Sequence, residues 1–315
     1  MFMGLFGEFL LQKGYITAEQ LRLAYGSVEN ARPKLGTLAI NEGYMTSDQV
    51  ETVHSMQVHE DRRFGDIATE MGYLSVEQLE ALLSMQRRPH AVLAQALMDR
   101  KVLSMKDFNN AVEEYKREYG LRGDVFDALT EDDIDVTVRF CLQGKRILEH
   151  DLLMDYVSLF ARSMVRFVDR FVVLCPAFPE EDDLASEYLA LQLVTQRDKS
   201  SMLTAISGDV LSLAALGRAF SGEDITALDA LGKAATEEFL NLVNGLFAVN
   251  MSDFGKNFTM HPPLGVPASV LEGMEKDLFA VLFRFGDFSM KLFVMDGVPK
   301  ILEDRLLRDA QDCRS

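Results

Sequence analysis

The sequence predicts a multidomain chain, an all-α helical repeat module followed by an α+β sandwich. Three observations predict it. A four-residue pattern returns at a constant step of 29 residues: Gly14-Tyr15-Ile16-Thr17, Gly43-Tyr44-Met45-Thr46, Gly72-Tyr73-Leu74-Ser75 and the degenerate Lys101-Val102-Leu103-Ser104. A second marker keeps the same step, at Phe6-Gly7, Leu35-Gly36, Phe64-Gly65 and Leu93-Ala94. Past about residue 118 the period stops, and short strand-like runs alternate with helical ones. A chain of 315 residues fits two domains better than one.

Each repeat reads in the same order. A short apolar helix starts at the second marker and ends at a glycine suited to a left-handed position after a helix. A Thr or Ser then supplies an N-cap hydroxyl, with an acid in the next turn, as in Thr17-Ala18-Glu19 and Ser75-Val76-Glu77. A longer helix follows, with Leu79, Leu82, Leu83 and Gln86 at helical spacing in the third copy. One such unit cannot bury its apolar face alone, but stacked neighbours can. The module is assigned to residues 1–118.

The two central copies, Lys34-Leu35-Gly36 through Gln57 and Arg63-Phe64-Gly65 through Gln86, resemble the tandem motif of MshEN-type N-terminal domains of type II secretion ATPases. The spacer is Val58 to Arg62, five residues as in that family. Some members bind cyclic di-GMP through the start of each motif. The resemblance therefore implies Lys34, Leu35, Gly36, Arg63, Phe64 and Gly65 as candidate contacts to that nucleotide. A glycine lets backbone approach a ligand, and a guanidinium pairs with phosphate or stacks on guanine. Lys34 stands where the family prefers Arg, and Phe64 where it prefers Leu. The outer copies have Leu5 and Val92 at the basic position and are expected to be structural caps. The bland reading of the module is a helical adaptor that docks a partner and binds no nucleotide.

Residues 119–134 combine Tyr119-Gly120 and Gly123 with the acidic run Glu131-Asp132-Asp133, and are expected to form a linker. The second domain is assigned to residues 135–312. Its elements are expected in this order: a strand at Val136, Val138 and Phe140; an amphipathic helix over 149–171; a loop from Phe178 to Asp183; strands over 187–195 and 201–206 around a turn at Arg197-Asp198-Lys199; a short helix from Gly208 to Phe220; a long helix over 225–254; an extended Pro-rich stretch over 258–267; and a closing strand pair, 278–285 and 288–295, around Gly286-Asp287.

The long helix places Glu238, Asn241 and Gly245 at i, i+3 and i+7, on one face. This motif, with Pro263 (or Pro262) downstream and the order of elements, resembles the CheC, CheX and FliY chemotaxis phosphatases, and most nearly the CheX branch, over about residues 145–298. The resemblance implies a CheX-like sandwich that hydrolyses the aspartyl phosphate of a CheY-like response regulator, and the two resemblances in one chain together suggest that cyclic di-GMP at the repeats tunes that activity. Glu238 and Asn241 would be the catalytic pair, with Gly245, Asn244 and Pro263 contacting the partner. The regulator brings its own Mg²⁺, so no cofactor of this chain is required. Asn241 would orient the attacking water, and Glu238 would pair with a lysine of the regulator. The family often has an acid four residues before the Glu, where this chain has Ala234. CheX members pair through their sheets, which carries over a homodimer. The competing class is a non-catalytic adaptor that binds a regulator or a secretion or pilus component.

Composition narrows the remaining classes. A net charge of −17 argues against general nucleic-acid affinity, which needs a basic face. Cys141, Cys175 and Cys313 are widely spaced and form neither a disulfide framework nor a zinc pattern, as expected in a reducing cytosol. The five His do not cluster, so no metal site is expected. No apolar run is long enough to span a bilayer, and the start from Met1 to Glu8 lacks the basic opening of a signal peptide. These signs together predict a cytoplasmic signalling protein.

Overall fold

The computed structural model describes residues 1–28, 31, 33–60, 62–86, 88–177, 186–196 and 201–312. The expected loop at 178–183, the turn at 197–199 and Cys313 lie outside them. The chain divides into two compact units, residues 2–133, and residues 134–315 with Met1.

The first unit carries the repeats as four helix pairs. These are α1 (Phe2–Gln12) and α2 (Ala18–Ser27), α3 (Leu35–Asn41) and α4 (Ser47–Glu60), α5 (Phe64–Glu70) and α6 (Val76–Met85), and α7 (Pro89–Asp99) and α8 (Met105–Glu118). The turn inside each pair is the same. Gly14, Gly43 and Gly72 have φ of 73°, 70° and 70°, and Lys101 takes the equivalent left-handed φ of 57° without a glycine's freedom. Thr17 with Gln20 and Ser75 with Gln78 form capping boxes; Thr46 and Gln49 exchange the same two hydrogen bonds. The acid in the first turn is present, but the glutamine at the third position closes the box. Ser104 accepts from the Asp107 amide in the fourth copy.

The marker glycines have a packing role. A Cβ on Gly36 would stand 2.6 Å from Val50 Cγ1, and one on Gly65 2.7 Å from Leu79 Cδ1. In both copies the long helix crosses the short one at that point.

Residues 119–134 are not a bare linker. They hold α9 (Gly123–Thr130), which buries Phe126 and Leu129. Phe126 packs edge-on to Phe2 at 5.8 Å between ring centroids. The acids have partners: Asp127 and Glu131 pair with Arg88 at 3.5 and 3.0 Å, and Asp132 caps α1 by accepting from the Phe2 amide at 3.0 Å.

The second unit opens with α10 (Ile134–Cys141), where a strand was expected. The alternation of Val136, Val138 and Phe140 is too short to decide. Thr137, Val138 and Leu142 are buried with Ile134 and Cys141 beside them, which is a helical period. Then follow α11 (Asp151–Phe167), β1 (Val173–Ala177), β2 (Leu189–Gln196), β3 (Met202–Gly208), α12 (Val210–Ser221), α13 (Ala230–Ser252), β4 (Phe258–Met260), β5 (Leu264–Val266), β6 (Phe279–Phe285), β7 (Phe288–Asp296) and α14 (Lys300–Asp312). The strands form one antiparallel sheet in the order β1-β6-β7-β3-β2-β4, with β5 also on β2. Val194, Ile206, Val281, Phe283 and Leu292 join Phe160, Phe239 and Phe247 in the core on one face. Leu191, Leu193, Leu203 and Phe293 pack with Leu302 and Leu306 of α14 on the other. Cover on both faces explains why β2 is nearly continuous in apolar residues.

Candidate functional site on the long helix

Helix α13 begins where the Asp229 carboxylate accepts from the Leu231 and Gly232 amides at 3.1 and 3.0 Å. Its inner face buries Ala235, Thr236, Phe239, Leu240, Val243, Asn244, Phe247 and Met251. The opposite row runs Leu231, Ala234, Glu238, Leu242, Gly245 and Val249. Leu231 and Val249 are 51% and 64% exposed, Ala234 and Glu238 are exposed, and Leu242 and Gly245 are half-buried. Glu238 therefore stands in an outward row that is otherwise apolar or small, and a surface of that kind suits another protein.

Asn241 lies at the edge of this row, half-buried. Its Oδ1 accepts from Gln192 Nε2 at 2.8 Å, and its Nδ2 lies 3.5 Å from Glu238 Oε2. The structure thus places Glu238 and Asn241 side by side. Neighbouring Glu237 turns the other way. It accepts from Tyr188 Oη at 3.1 Å, and burial holds its carboxyl above the usual carboxylate range. Glu237 belongs to the scaffold, so the register that uses Glu238 is the one facing solvent.

Asn244, expected at the partner surface, is fully buried. Its Nδ2 donates to Gln192 Oε1 at 2.7 Å and to Thr204 Oγ1 at 2.8 Å. One helical turn from Asn241, it points into the sheet instead of out. Gly245 needs no special space within the chain, since a Cβ there would meet Met260 at an ordinary 3.9 Å. Pro263 is half-buried between β4 and β5, and the two prolines interrupt the outer strand that pairs with β2. Gln192 escaped the sequence reading. A lone polar residue in an apolar strand is its only signal.

The nucleotide candidates in the helical unit are placed as follows. Lys34 and Arg63 are exposed at the N-caps of α3 and α5, where neither caps through its side chain. Leu35 is half-buried, Phe64 is buried, and Gly36 and Gly65 are buried against Val50 and Leu79. A Cβ on Gly36 would lie 3.3 Å from the Phe64 ring, so these two meet. A cavity of about 180 Å³ in this unit is lined by Lys34, Asn41, Arg88, Gln95 and Asn109 among others, and not by Arg63 or Gly65. Among the described residues no group of His, Cys, Asp and Glu could hold a metal ion, and no helix is long and apolar enough to cross a membrane.

No family model and no curated protein matches the sequence. Solved structures do match, over the C-terminal half. The chemotaxis protein CheX of Vibrio vulnificus is similar at 12% identity, over 46% of this chain and 99% of that one, with a TM-score of 0.38. A chain of a CheX–CheY–beryllofluoride–magnesium complex from Borrelia burgdorferi is similar at 13% identity, over 46% and 97%, with a TM-score of 0.38. A CheC-like protein of a Shewanella species is similar at 15%, over 47% and 97%, with a TM-score of 0.37.

Proposed function

We propose that the α+β unit docks a phosphorylated CheY-like response regulator on the outward row of α13 and hydrolyses its aspartyl phosphate. One observation carries this reading. Glu238 is exposed and Asn241 adjoins it with an amide held from behind, within a row that offers Leu231, Leu242, Gly245 and Val249 for contact. Phosphoryl transfer is governed by positioning and charge stabilisation, and the regulator supplies Mg²⁺ and the phosphoryl group. Asn241 orients the attacking water, and Glu238 pairs with a lysine of the regulator and keeps the register. No general base is asked of this chain.

The test is phosphate release from a phosphorylated CheY-like regulator. Asn241→Ala should slow release by about tenfold or more, the scale of a lost positioning contact. Equal rates for Asn241→Ala and wild type would remove the catalytic assignment.

A second reading is a regulator-binding adaptor without hydrolysis. Ala234 favours it, since an exposed methyl group stands where the family often has an acid. For the helical unit we propose cyclic di-GMP as a ligand, supported by the exposed basic pair Lys34 and Arg63 at the starts of two short helices. Calorimetry should show binding that is lost in Arg63→Ala; no heat at high micromolar nucleotide removes the idea.

A further inference from the structure

Gln192 is fully buried on β2, on the sheet face that meets α13, between Ala190 and Val194. A buried amide among apolar side chains is costly unless its groups are bonded. Its bonds lead to α13. Nε2 donates to Asn241 Oδ1 at 2.8 Å and to the backbone carbonyl of His261 at 2.7 Å. Oε1 accepts from Asn244 Nδ2 at 2.7 Å.

The direction of this relay is fixed by one group. A backbone carbonyl can only accept, so His261 requires Gln192 to turn its Nε2 toward it. That choice turns Oε1 toward Asn244 and aims an N–H at Asn241. Asn241 must then face Gln192 with its oxygen, which puts its Nδ2 on the outer side beside Glu238. His261 is itself tied down, since its amide donates to the Leu193 carbonyl at 3.1 Å and its ring Nε2 lies 3.1 Å from Thr195 Oγ1. Left alone, the terminal amide torsion of an asparagine is broad and nearly two-fold. The relay selects one of its two faces.

The same network is a poor device for stability. Among the described residues Asn244 Oδ1 has no hydrogen-bond partner, and a half-satisfied polar network is worse than an apolar core. Its gain lies where it reaches the outward face of α13, at Asn241.

We propose that Gln192 is a positioning residue for Asn241, fixing the amide oxygen inward so that the Nδ2 edge faces outward and holds the reacting water in place. The proposal rests on the phosphatase reading for its purpose, but the positioning can be measured apart from it. The experiment uses the full chain, as wild type, Gln192→Met (similar shape, no amide), Gln192→Leu (apolar, no amide) and Asn241→Ala. Three quantities are read: the single-turnover rate of phosphate release, the affinity for beryllofluoride-loaded regulator, and the order of the Asn241 side-chain amide by ¹⁵N relaxation. The expected result is an ordered Asn241 amide in wild type and a mobile one in Gln192→Met. Both Gln192 variants should bind regulator as wild type does and release phosphate about tenfold more slowly. A mobile Asn241 amide in wild type overturns the proposal, whether or not the variants fold. So does an amide as ordered in folded Gln192→Met as in wild type, or an unchanged rate in both variants when Asn241→Ala is slow. If Asn241→Ala matches wild type, the phosphatase reading fails, and the relaxation data still decide whether Gln192 orders Asn241.

Discussion

His90 shows how much a single buried side chain contributes. Its ring packs between Phe2 and Phe126, at 6.3 Å from each. Burial, then the charges of Arg88 and Lys116, push its pKa down to about 4, against a smaller opposing effect of Asp127. The folded state thus holds the neutral ring while the unfolded chain takes a proton near pH 6.5. The resulting stability is complete above that pH and is lost as pH falls toward 4. At about 1.4 kcal/mol per pH unit over the 2.5 units between 6.5 and about 4, the loss is at most about 3.5 kcal/mol. Denaturant midpoints of the helical unit should fall from pH 7 to pH 4.5 in wild type and much less in His90→Phe. A wild-type midpoint insensitive to pH over that range would contradict the burial argument. Residue-scale legibility was uneven for a physical reason. The spacing of Glu238, Asn241 and Gly245 is local, so it could be read. Gln192 acts through a residue 49 positions away, and no periodicity records that. Asn244 was misplaced because one helical turn past Asn241 the row has rotated from the rim into the sheet.

At the scale of elements, the repeat turns were the most legible part. A glycine, an aromatic and a hydroxyl in order determine a left-handed exit and a capped entry. Lys101 holds the same φ without the glycine. Lys101→Gly should therefore stabilise the helical unit by about 1 kcal/mol, the strain of a left-handed non-glycine residue; an unchanged melting temperature would show that the fourth turn is unstrained. α9 and α14 were not foreseen. The acidic run hid Phe126 and Leu129, and α14 buries Leu302 and Leu306 in an otherwise charged stretch. On α13, Gly245 has room for a methyl group. A mid-helix glycine costs roughly 0.5–1 kcal/mol relative to alanine, and among the described residues no close approach offsets it. Gly245→Ala should raise stability by that amount and weaken regulator binding. Stabilisation with undiminished binding would remove Gly245 from the docking face.

Across the whole molecule, the two units follow different rules that the sequence displayed separately. Residues 2–133 repeat one packing motif, so their order was visible as a period. In residues 134–315 the sheet is covered on both faces, so strands such as β2 lose their alternation and only their positions could be anticipated. The proposed site lies where the long helix meets that sheet, and joins a motif on the helix to a buried amide on the strand behind it. The most direct test of the central claim is single-turnover phosphate release from a phosphorylated CheY-like regulator by wild type, Glu238→Ala and Asn241→Ala. Wild type should accelerate release, Glu238→Ala should lose affinity for the regulator, and Asn241→Ala should bind but turn over about tenfold or more slowly. Wild-type protein that leaves the release rate at the regulator's own value, or an Asn241→Ala variant as fast as wild type, would contradict that claim.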